Sequence, residues 1–99
     1  MKEARVYMIG MLCRALAGHD KNEIYIIIEE SDEYVYLSDG LLKPKDKAKK
    51  KNKKHIQIIK KSVDASLQKR IAEKTEYSNE EIKRAIKLYK KEEYFLSQK

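Results

Sequence analysis

A single cysteine, a single proline and no long apolar run bound this 99-residue chain before any motif is considered. Cys13, having no second cysteine, can neither close an internal disulfide nor build a cysteine-based zinc site. The longest apolar run, Ile24–Ile28, lies between charges and falls far short of the ~18 residues that read as a membrane span. Met1–Arg5 holds no apolar segment of the secretory type, so a cytoplasmic location is the expectation. The length allows one core, because a domain of this size buries only ~60–65% of its unfolded surface. A catalytic cleft between two large domains is thereby excluded.

Charge is abundant. Twenty-three Lys+Arg stand against 16 Asp+Glu, a net +7, and the pI near 9.4 points to a polyanionic partner. The excess is not spread evenly. Residues 1–42 carry four bases and eight acids, a balance of −4. Residues 43–61 carry ten lysines against Asp46 alone, a balance of +9, and residues 62–99 carry nine bases and seven acids. One nineteen-residue stretch thus supplies more than the whole excess, which separates a localised binding feature from diffuse basicity. The plainer reading of such a run is a solvated linker.

Hydrophobic patterning predicts five short strands and then two helices. Gly10–Leu16 alternates loosely, and Ala17–Asn22 interrupts it with turn formers. Ile24–Ile28 is the most β-prone run, and Glu29–Glu33 is an acidic turn. Tyr34–Ser38 sets Tyr34 and Tyr36 on one face and Val35 and Leu37 on the other. Asp39-Gly40 signals a tight turn into a short fourth strand, Leu41–Lys43, and Pro44, lacking an amide donor, should end that strand or sit on an edge. The lysine segment then forms a long loop over about 43–54, and His55–Ile59 closes the sheet as a fifth strand. After Lys61 the period changes. Val63, Leu67 and Ile71 mark a short helix over roughly 64–74. Ser78 and Glu81 form a capping box ahead of a stripe of Ile82, Ala85, Ile86 and Tyr89, with Lys83, Arg84, Lys87, Lys90 and Lys91 on other faces. The expected fold is mainly β with C-terminal helices: a five-stranded SH3-like barrel over 1–61, then two short helices over 62–99, in one compact unit.

The stretch Gly10–Ile28, with Ala17-Gly18-His19-Asp20-Lys21-Asn22 at its centre, resembles a KOW motif: strand, glycine-containing basic loop, strand. Together with Asp39-Gly40, Pro44-Lys45 and Lys54-His55-Ile56-Gln57, it is similar to small bacterial KOW-domain RNA-binding proteins related to the fourteen-e large-subunit ribosomal protein. The ordered set of elements runs over nearly the whole chain. His19 stands where that family usually has Arg, which removes a constitutive charge and a forked donor. Asn22 stands where it usually has Gly, and Asn tolerates the positive φ such a turn needs.

The resemblance implies RNA binding through the barrel loops, ribosomal RNA first, at or near the ribosome and so in translation. The residues it nominates are Arg14, His19 and Lys21 near the KOW loop, the basic series Lys43, Lys45, Lys47, Lys49, Lys50, Lys51, Lys53 and Lys54, and His55. Lysines on a mobile segment suit phosphate contacts that release counterions. Tyr34 and Tyr36 are expected to pack rather than stack on bases, and Cys13 to act as a small buried hydrophobe. His19-Asp20 and His55 have no third group placed to complete a catalytic or metal set, so neither an enzyme nor a cofactor is expected. Nor is a membrane or small-molecule partner. The competing readings are an SH3-like protein-interaction module, with Glu29–Glu33 as a contact rim, and an accessory factor in ribosome assembly or RNA processing.

Overall fold

The computed structural model describes residues 8–98; the expectation placed on Met1–Arg5 lies outside the described residues. Along the chain come β1 (Leu12–Ala15), β2 (Ile24–Glu30), β3 (Tyr34–Ser38), β4 (Lys49–Asn52), β5 (Ile56–Ile59), α1 (Ala65–Ala72) and α2 (Asn79–Ser97). All strand pairs are antiparallel, in the order β4-β3-β2-β1-β5. Four strands form a meander and the fifth returns to β1, the strand order of a small SH3-like barrel. The fold is mainly β with C-terminal helices, as the patterning predicts. Among the described residues no helix is long and apolar enough to cross a membrane.

The uniform apolar run of β2 follows from burial on both faces. Tyr25 and Ile27 face the barrel interior with Cys13, Ala15, Val35, Leu37 and Ile56. Ile24 and Ile26 face outward, where Leu12 joins them under Leu67 and Ile71 of α1 and Ile82, Ala85 and Ile86 of α2. A strand buried on both faces cannot alternate apolar with polar. The helices therefore pack on the barrel itself. Truncating one of their large buried side chains to alanine should cost about 2–5 kcal/mol. The capping box starts α2 as expected: the Ser78 hydroxyl accepts the Glu81 amide at 3.2 Å, and Glu81 Oε1 accepts the Ser78 amide at 3.0 Å.

Four expectations need correction. Leu41–Lys43 is not a strand. Asp39 Oδ1 accepts from the Leu41 and Lys43 amides at 2.9 and 2.8 Å. The Ser38 hydroxyl donates to the Lys43 carbonyl at 2.7 Å and accepts the Gly40 amide at 3.1 Å. Those bonds occupy the backbone groups a strand would need. The lysine segment is not a long loop either. Its centre is β4, paired with β3 from Tyr34↔Asn52 to Leu37↔Lys49 and flanked by 3-10 turns at Lys45–Lys47 and Lys53–His55. Low β propensity is overridden because β3 offers a row of backbone partners and the lysine stems are apolar. Pro44 caps the first of those turns instead of ending a strand. Finally, α2 is not short, running 19 residues to Ser97.

Candidate nucleic-acid interface

Opposed residues of an antiparallel pair share a face. Val35 and Leu37 lie fully inside the barrel, so their partners Lys51 and Lys49 also point inward. Both reach Asp20 in the loop between β1 and β2. Lys51 Nζ lies 2.8 Å from Asp20 Oδ1 and donates to the Ala17 carbonyl at 2.9 Å. Lys49 Nζ lies 3.0 Å from Asp20 Oδ2, and the Tyr25 hydroxyl donates to that oxygen at 3.1 Å. The Lys51 and Asp20 side chains are only 9% and 11% exposed. Burial alone would raise the Asp20 carboxyl, but the bonds from Lys51, Lys49 and Tyr25 outweigh it and hold it well below the usual carboxylate range. The same neighbourhood pushes the Cys13 thiol up to about 12, mainly through burial, so it stays protonated and inert. Beyond the bulge in β2, Glu30 pairs with Lys53 at 2.9 Å and accepts the Met8 amide at 2.9 Å. Lysine–carboxylate pairs therefore seal both ends of the barrel.

The nominated residues fall into distinct groups. Lys49, Lys51 and Lys53 are held by carboxylates. Arg14 is held by Glu93 of α2. Lys45 reaches back to the helices, with its amide on Asn79 Oδ1 at 2.8 Å and its ammonium 4.8 Å from the Tyr77 ring centroid. Lys50 lies over the Tyr34 ring at 4.3 Å on the outer face of the sheet. His19, Lys21, Lys43, Lys47, Lys54 and His55 hold no ion pair among the described residues, and all but the half-buried Lys43 are exposed. Asn22 takes φ 75°, the left-handed turn its position was expected to need.

One end of the barrel gathers much of this free charge. A cleft there is lined by His19, Asp20, Glu23, Asp39, Leu42, Lys43 and Lys49, with Lys21 and Lys47 adjoining along the chain. A second cleft meets it across Glu23 and Asp39 and is walled by Leu41 together with Lys83, Lys87 and Lys90 of α2. The turn between the clefts is docked on the helix. Gly40 has φ +76°, and a Cβ there would lie 2.3 Å from the Asn79 carbonyl oxygen. No family model matches the chain, and no curated protein does either. Among the described residues no group of three or more His, Cys, Asp or Glu side chains could hold a metal ion.

Sequence reasoning passed over Lys83, Lys87 and Lys90 as solvation of a helix face. Their i, i+4, i+7 spacing is that of one stripe, a signal present in the sequence and not used. Leu41 and Leu42 were absorbed into a strand that does not form.

Proposed function

We propose that the protein binds structured RNA, ribosomal RNA first, in the cytoplasm at or near the ribosome, and carries out no reaction on it. One observation supports the reading above the rest: lysines without a carboxylate partner among the described residues, from two segments far apart in the chain, line adjoining clefts at one end of the barrel. Lys43 comes from the segment before β4 and lines one cleft, with His19 of the loop before β2 beside it, and Lys87 and Lys90 of α2 line the other. Carboxylates hold Lys49, Lys51 and Lys53, so the lysines left at these clefts form a patch smaller than the sequence run. A patch fixed on a barrel and a packed helix suits the phosphates of a folded RNA better than it suits a disordered strand.

The test is affinity for a structured ribosomal RNA fragment as a function of salt. About six phosphate contacts should give a slope of log affinity against log salt near −5. The protein should also co-sediment with ribosomal fractions at low salt. A flat slope overturns the reading and favours a protein-interaction module.

A further inference from the structure

The Leu41–Leu42 turn is an exposed apolar feature whose backbone is closed by side-chain hydrogen bonds and seated against α2. Leu41 and Leu42 are 64% and 79% exposed. Yet the turn that carries them is closed by Asp39 and Ser38 and seated by Gly40 on the first turn of α2. Each leucine borders one of the two adjoining clefts, Leu42 beside His19 and Lys43, where Lys49 is already neutralised by Asp20, and Leu41 beside Lys83, Lys87 and Lys90. Cations on both flanks call for an anionic partner. The groove between them is not purely cationic, because Glu23 and Asp39 line both clefts. Asp39 Oδ1 is engaged by the turn, and Asp20 by Lys49 and Lys51. Glu23 is exposed, and its carboxylate has no partner among the described residues.

A free carboxylate repels phosphate but accepts hydrogen bonds from amino groups, as acidic side chains do from the N4 amine of cytosine. Apolar side chains on a closed turn can replace the stacking partner of a displaced base. Resting on the RNA reading above, we propose that Leu41 and Leu42 receive an unpaired base of the bound RNA, that Glu23 selects one with an exocyclic amine, and that the flanking lysines hold the neighbouring phosphates. A lipid surface fits less well, because it would set Glu23 against anionic headgroups.

The experiment uses the full chain with three hairpin RNAs of identical stem, one fully paired, one with a single bulged C and one with a single bulged U. Wild type should bind the C bulge about tenfold tighter than the paired stem and about fivefold tighter than the U bulge. Leu41→Ser/Leu42→Ser should lose the preference for a bulge while keeping its affinity for the paired stem and its unfolding midpoint. Glu23→Gln should level C against U. A bulge preference that survives the leucine changes overturns the proposal and leaves RNA binding intact. Binding to none of the hairpins overturns both. Leucine-dependent flotation with phosphatidylglycerol vesicles, or leucine-dependent dimerisation in sedimentation, assigns the turn to another occupant and also overturns it.

Discussion

Two sets of lysines, those of β4 and those of α2, look alike in the sequence and differ in every physical respect. Lys49 and Lys51 point into the barrel and, with Lys53 just beyond the strand, neutralise Asp20 and Glu30. Lys83, Lys87 and Lys90 stand beside an open cleft on the face of a packed helix, and the one ion pair among them, Lys83 with Glu80 at 3.5 Å, is of the surface kind that contributes little. The denser run is the structural one. The acidic first part of the chain and the +9 stretch are separate in sequence and interleaved in space, so part of the apparent binding charge is spent internally.

The contrast breaks most sharply at Asp20. Asp20→Ala leaves Lys51 in its confined site without a carboxylate, and it should lower stability by about 3 kcal/mol in denaturant unfolding. A loss below about 0.5 kcal/mol would show that Lys51 escapes to solvent and that the two sets are equivalent. A smaller effect is expected from Lys83→Gln/Lys87→Gln/Lys90→Gln, which should leave the unfolding midpoint unchanged. It should weaken binding to structured RNA about tenfold at moderate salt and flatten the salt slope by about 2–3. The matching change at Lys49, Lys51 and Lys53 should do the reverse, lowering the midpoint first.

The smallest effect is the response to acid. Asp20 and Glu81 titrate lower in the folded protein than in the unfolded chain, Glu81 to about 2 because Arg70 and the Ser78 amide hold its carboxylate. The folded state therefore binds fewer protons than the unfolded one as pH falls through the ordinary carboxylate range. Their contribution is complete above about pH 5 and is lost progressively as pH falls from there toward about 2. Thermal unfolding should show a midpoint flat from pH 7 to about 5 and falling beneath it, and Asp20→Ala should blunt that fall.

What was legible in the sequence was local. Tyr34–Ser38 alternates, Ile24–Ile28 is too branched and short for a helix, and Ser78 with Glu81 announces its helix within four residues. What was hidden depends on partners far along the chain. Lys51 and Asp20 are separated by 31 positions, and nothing near Lys49–Asn52 says that β3 will pair with it. Leu41-Leu42 looks like a strand until the Asp39 carboxylate is seen closing the turn. Of the candidate site, His19 and Lys43 were each named from the sequence, but that they line one cleft, and that α2 walls the next, depends on packing no local pattern shows.

The lysines of β4 also bear on how copies of the chain meet. β4 is the last strand in its sheet order, and an outer strand offers unpaired backbone groups to any other strand that approaches. Its sequence is Lys-Lys-Lys-Asn, so the β4 of a second copy laid along it would oppose lysine or asparagine to lysine or asparagine. Like charges opposed across a strand pair repel. The edge that completes the barrel thus discourages pairing between the β4 strands of two copies.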